Sequence, residues 1–180
     1  MIFLERLYFK LYGLVSGDTI LHIDPRAIHT HIIVTLSTSV LMWAYAICAI
    51  FTIDSPVPAV VGVACSIAHL LSPFLFRGTG NLLFVTLFML SAGVIHQGTY
   101  SFFTGGFRSP VLIWYGLIPM LAGLIEGYKS LIISCFSVGI IALSFLYLEL
   151  EGFSFPYLIS ENGMMVSQAL LIFGWIALST

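Results

Sequence analysis

An all-α fold is predicted for this sequence, a polytopic membrane protein built as a six-transmembrane-helix bundle with short loops, and three observations carry that prediction. Hydrophobic residues make up 59% of the chain and charged residues 8%, far from the composition of a soluble globular domain. Beyond residue 31 lie six long apolar stretches, each close to the about 20 helical residues needed to cross a hydrocarbon core roughly 30 Å thick. The breaks between them are short, so neighbouring helices are expected to pack antiparallel.

Residues 1–30 are read as an N-terminal cytoplasmic segment. They lack a basic region followed by an apolar run and a small-residue cleavage site, so no cleavable signal is expected. Ile2, Phe3, Leu4, Leu7, Tyr8, Leu11 and Tyr12 recur at helical spacing, with Glu5, Arg6 and Lys10 on the other side. That pattern predicts an amphipathic helix lying flat at the membrane interface.

The transmembrane domain, 31–180, follows, with spans at 32–53, 57–76, 80–103, 111–127, 131–148 and 163–179. His29 and His31 open span one two residues apart, on different sides of a helix, so with His22 they read as interface histidines and not as a metal site. Span two carries His69 and the small-residue spacings Gly62 to Ser66 and Ala64 to Ala68, which identify close packing. Its exit holds Pro73 and then Arg77-Gly78-Thr79-Gly80-Asn81, a tight turn. Span three brings His96, Gln97 and Tyr100 toward its far end. The break after it reads Thr104-Gly105-Gly106-Phe107-Arg108-Ser109-Pro110; the glycines permit positive φ, and Ser109 caps span four with Pro110 in its first turn. Span four holds Trp114, Pro119 and the Gly123/Gly127 spacing. Glu126 and Lys129 form an exposed i,i+3 pair beyond it. Span six carries Gln168.

Lys and Arg orient the bundle. Arg6, Lys10, Arg26, Arg77 and Lys129 fall on one side and only Arg108 on the other, which predicts both termini in the cytoplasm. The opposite face holds Asp54, Glu149, Glu151 and Glu161 and is acidic. No basic tract points to nucleic acid. Cys48, Cys65 and Cys135 lie inside spans without CxxC spacing and read as packing residues.

The two glycine-containing breaks, 77–81 and 104–110, with Trp114 and Pro119 downstream, resemble the six-helix N-terminal sensor region of bacterial sensor histidine kinases. Similar regions precede nucleotide cyclase domains. The resemblance covers the chain from span one to span six. It implies a bacterial inner-membrane input domain for two-component signalling, whose last helix runs on into a cytoplasmic dimerisation helix and a catalytic domain, with homodimerisation through that output region. The sequence ends at Thr180 without a phosphoacceptor helix, an ATP-binding box or a cyclase signature. An excised sensor portion of a longer receptor is therefore expected, ahead of a stand-alone homologue.

Polar side chains within a membrane are costly and mark functional sites. His96, Gln97, Tyr100, Trp114 and Gln168 fall at comparable depth in the outer half, and with Arg108 they form the candidate ligand site. A small amphiphilic or carboxylate-bearing molecule, a lipid or quinone-like species, or a state of the bilayer fits them, with Arg108 in the Gly-Gly turn as the anion contact. The same residues fit a packing role between helices, Tyr100 and Trp114 fit an interfacial aromatic belt, and Arg108 fits a pair with Glu151 or Glu161. His69 and His96 are expected about 14 Å apart in depth, at 1.5 Å per helical residue, too far for one haem iron; His69 is expected to bond a neighbouring helix. No metal, cofactor or catalytic constellation is read. A small transporter is the alternative, but no repeat relates spans one to three to spans four to six, and Pro73 and Pro119 fall at different points of their spans.

Overall fold

The computed structural model describes residues 23–179 together with Arg6, Phe9, Lys10, Tyr12 and Gly13. The amphipathic helix expected in the N-terminal segment, and His22, lie largely outside the described residues. Residues 23–179 fold into α1 (Pro25–Thr52), α2 (Val57–Thr79), α3 (Leu82–Phe103), two short 3-10 turns (Gly106–Arg108 and Pro110–Ile113), α4 (Trp114–Glu126), α5 (Tyr128–Leu150) and α6 (Glu161–Ser179). The protein is all-helical.

Each boundary has a local cause. Asp24 accepts a hydrogen bond from the Arg26 backbone N–H at 2.9 Å and Pro25 opens the first turn of α1, where a proline's missing N–H costs nothing. Ser55 and Pro56 separate α1 from α2. Gly80, at φ 62°, closes α2 by donating its N–H to the Phe76 carbonyl at 2.8 Å, the left-handed cap that favours glycine. Pro73 does not end α2, which runs on to Thr79. Asn81 caps α3 by accepting from the Phe84 N–H. The Ser109 hydroxyl accepts from the Val111 N–H, with Pro110 in the turn it caps. Gly127, at φ 82°, is the entire connection between α4 and α5.

The four helices α1, α2, α3 and α5 are long and apolar enough to cross a membrane. The apolar stretch Pro110–Glu126 is shorter, and α6 has 19 residues. Large apolar side chains face outward all round the bundle, Phe51 at 81% exposure and Phe136 at 69% among them. An apolar surface on that scale fits lipid and not water.

Packing is antiparallel and unequal. α1 lies at the centre, against α2, α4 and α6; α3 bridges α2 to α4; α5 packs on α4 and on part of α3. Small residues bring α1 and α2 together: a Cβ on Gly62 would lie 3.0 Å from that of Ala46, and Ser39 and Ser66 exchange hydrogen bonds with an Oγ–Oγ distance of 2.8 Å. Only Ser130, Ser134 and Val138 of α5 are buried.

The loop between α5 and α6 folds back over one end of the bundle. Leu158 donates to the Phe103 carbonyl, Asp54 to Leu158, and Ser160 to Thr52. Phe155 sits on the Gly105-Gly106 turn, where a Cβ on Gly106 would stand 2.1 Å from the phenyl ring. That residue must be glycine twice over, for the approach and for its φ of 63°.

Candidate functional site

Four of the six side chains singled out from the sequence meet inside the bundle. His96, Gln97 and Tyr100 lie on the buried face of α3, and Trp114 opens α4 at 5% exposure. Tyr100 is at 0%, so neither aromatic belongs to an interfacial belt.

Tyr45, on α1, is what they surround. The Trp114 indole Nε1–H donates to the Tyr45 hydroxyl at 3.0 Å, and that hydroxyl donates to the Ser167 carbonyl of α6 at 3.0 Å. The Tyr100 hydroxyl and Ser167 Oγ lie 2.9 Å apart. Tyr45 also stacks edge-on against His96, Tyr100 and Trp114, with ring centroids 6.0, 5.2 and 6.3 Å away. α6 reaches this cluster because residue 174 is glycine; a Cβ there would be 2.3 Å from the Trp114 ring.

Two candidates do not join. Gln168 is exposed on α6, and its neighbour Ser167 faces the cluster instead. Successive helical residues point about 100° apart, so correct depth with wrong rotation places the wrong residue inside. Arg108 is held by Glu149 at the loop-covered end, its side chain 84% exposed. Phe155 packs on Gly106 of the turn beside it, and Arg108, Glu149, Gly105 and Tyr157 line an open pocket of about 420 Å³ at that end. The ion-pair partner of Arg108 is Glu149, in place of Glu151 or Glu161.

Beside the cluster lies a cavity of about 50 Å³, bounded by α1, α2, α3 and α4, room for a few waters. Its walls are mostly apolar, with Leu41, Met42, Met89 and Leu90 among them, and Tyr45 and Trp114 close one side. Three polar side chains enter: Thr38, His69 and Gln97. His69 Nδ1 lies 2.7 Å from Thr38 Oγ1, a bond to a neighbouring helix. Gln97 Oε1 is buried without a partner among the described residues, whereas the His69 ring also hydrogen-bonds the Met89 backbone. Neither ring nitrogen of His96, at 1% exposure, has a partner among the described residues. Unsatisfied buried polar atoms cost roughly 1 to 3 kcal/mol each, so Gln97, which lines the cavity, and His96 call for an explanation.

The depth of the two histidines needs correcting. Counted from the helix bounds, His69 stands about ten residues from Thr79 and His96 about fourteen from Leu82, an offset of roughly 6 Å in place of 14 Å. Side chains lean toward their helix N-terminus, and α2 and α3 run oppositely, so the two rings lean toward one another. The difference arises because α2 runs on to Thr79 rather than ending at residue 76 and α3 begins at Leu82 rather than at residue 80. Among the described residues, no group of three or more His, Cys, Asp or Glu side chains converges as a metal site.

Toward the Gly80 end the seam between α1 and α2 continues as hydrogen bonds. His31 Nε2 lies 3.1 Å from Ser72 Oγ, which lies 3.1 Å from Thr35 Oγ1. His31 is buried and His29 exposed. Comparison of the chain with protein-family models, with curated proteins and with solved structures finds no match.

Proposed function

We propose that this chain is the membrane input region of a bacterial receptor, six spans with both termini in the cytoplasm, which binds a small lipid-soluble molecule in the bundle interior and passes the change to α6. The observation that supports the reading is the cavity bounded by α1, α2, α3 and α4, an apolar space with Thr38, His69 and Gln97 among its lining residues. A wall of Leu and Met with few polar groups is the make-up of a small-molecule pocket.

The route out follows from what the cavity touches. Tyr45 and Trp114 line it, and both belong to the hydrogen-bonded chain that ends on Ser167 of α6. A ligand that shifts the Trp114 ring bears on α6 through Tyr45 and through the close contact at Gly174. It moves the equilibrium only by the difference in its affinity for two states, typically about 1 to 3 kcal/mol. Histidine-kinase output joined to α6 fits this arrangement, since α6 contacts the cluster directly.

The test fuses a histidine-kinase output domain after Thr180 and compares Gln97→Leu with Phe136→Ala, a change on the exposed face of α5, at matched membrane expression. Gln97→Leu is expected to change autophosphorylation severalfold and Phe136→Ala to leave it unaltered. Equal activity in all three proteins would contradict the proposal. A phosphatase reporter fused after Gly106 is expected to be active, and one after Gly127 inactive; the reverse would overturn the orientation.

A further inference from the structure

Away from the bundle interior, the end of the molecule covered by the α5–α6 loop holds the open pocket of about 420 Å³, within the roughly 300 to 1,000 Å³ usual for small-molecule sites. One wall is aromatic and held in place. Phe155 packs edge-on against Phe102 of α3, Phe145 of α5 and Phe153 of the loop, with ring centroids 5.6, 5.2 and 4.9 Å away, and contacts from three elements leave the ring little freedom. Arg108 lines the same pocket, while Arg26, Arg77 and Lys129 lie at the opposite end of the bundle. Glu149 engages the guanidinium through Nε alone. The second carboxylate oxygen of Glu149 is buried with no partner among the described residues, so the pair is not the two-bond fork that Arg and a carboxylate commonly form. No hydrogen bond joins either Nη group to a described residue, and the side chain is 84% exposed. Glu149 thus fixes the guanidinium and leaves its Nη donors open to the pocket side or to solvent. The amides of the turn are already bonded, Arg108 N–H to the Gly105 carbonyl and Ser109 N–H to that of Gly106, so the charge on offer here is the side chain's. Ser154 and Tyr157 add hydroxyls to the same lining.

We propose that this pocket binds an anion carried on an apolar body, a carboxylate or phosphate joined to a ring or chain. The Nη groups of Arg108 donate to two oxygens of the anion, the geometry for which guanidinium is suited, and the apolar body lies against Phe153 and Phe155. A cation is disfavoured, because Arg108 repels it and Glu149 has one oxygen engaged and the other buried. A neutral analogue keeps the ring contact and loses the charge-assisted bonds. The pocket takes Thr104 from the end of α3 and Glu149 from the last turn of α5, two helices long and apolar enough to cross a membrane, which sets it at the depth of lipid headgroups. An anionic headgroup and a soluble acid present the same chemistry to it. The site is separate from the interior cavity and does not depend on the role proposed for that cavity.

Three fluorinated probes of similar shape separate the outcomes: para-fluorophenylacetate, its uncharged amide, and para-fluorophenethylamine. The full chain is placed in phosphatidylcholine nanodiscs and each probe is titrated by fluorine NMR. The acid is expected to saturate at one molecule per chain and to bind about tenfold more tightly than the amide or the amine, the scale of hydrogen bonds to a charged group. Arg108→Gln, which breaks an exposed pair without threatening the fold, should reduce that preference to within about twofold, and Arg108→Lys should keep part of it. Phe153→Ala should weaken acid and amide alike. Gln97→Leu, in the bundle interior, should change nothing, which separates this site from the cavity. Repeating the titration in phosphatidylglycerol nanodiscs identifies the source of the anion. Weaker binding of the acid that Arg108→Gln does not share means that the headgroup competes for the guanidinium; unchanged binding means that a soluble acid is the occupant. A preference retained in Arg108→Gln, an amide or amine that binds as tightly as the acid, or a lipid-partition signal that never saturates would each overturn the proposal.

Discussion

Two polar groupings share the bundle interior and differ in how far their hydrogen bonds close. Around Tyr45, the Trp114 N–H, the Tyr45 and Tyr100 hydroxyls and Ser167 all find partners. Beside them, Gln97 Oε1 and both ring nitrogens of His96 find none among the described residues. The first grouping joins three helices to α6 and is accounted for as architecture. The second has no hydrogen-bond partner among the described residues, and its cost persists in the folded state unless a guest offsets it.

Substitution should separate the groupings in opposite directions. The largest effect is expected for Trp114→Ala, which empties a space between α1, α4 and α6 and removes the donor to Tyr45. A loss of roughly 3 to 5 kcal/mol, read from unfolding in mixed detergent, is the scale of such a truncation. Tyr45→Phe keeps the ring and should cost nearer 1 kcal/mol. Gln97→Leu should act the other way, replacing an unsatisfied amide with an apolar group of similar shape. Stability is expected to stay level or rise by about 1 kcal/mol while ligand response disappears. A fall as deep as that of Trp114→Ala would erase the contrast, making Gln97 one more packing residue. Smallest of all is Arg108→Ala, which breaks an exposed ion pair with Glu149. It should cost less than about 1 kcal/mol, and less still in high salt.

The helices were legible in the sequence because their ends are chemical. Pro25, Pro56 and Pro110 open helices and Gly80 and Gly127 close them, and the expected spans meet the observed helices within a few residues at most ends. Which face turns inward was much less legible. These helices are apolar on nearly every side, so no stripe marks the interior. Depth alone found His96, Gln97, Tyr100 and Trp114. It chose Gln168 where the adjacent Ser167 faces in, and it passed over Tyr45 and Thr38, whose roles depend on rotation and on partners far away in the chain. Tyr45 carried the one usable signal, a phenol well inside span one rather than at its edge. The expected bond of His69 to a neighbouring helix is met by Thr38 of α1, a partner that no spacing reveals.

Occupancy of the cavity is the claim on which the account turns, and Gly93 gives direct access to it. Gly93 lines the cavity, and a Cβ there would meet only His69 Nε2 and the Met42 methyl, both at ordinary contact distance of 3.9 Å. Gly93→Ala is thus expected to fold, gaining up to about 1 kcal/mol from the lost chain entropy of glycine, while Gly93→Leu should fill the space. The decisive measurement is a fluorine NMR titration of trifluoroethanol, kept below denaturing concentrations, against the three proteins in nanodiscs. The account predicts a bound signal in the unaltered chain that saturates at one molecule per chain, weakens in Gly93→Ala and vanishes in Gly93→Leu. An identical, unsaturable lipid-partition signal in all three would contradict it.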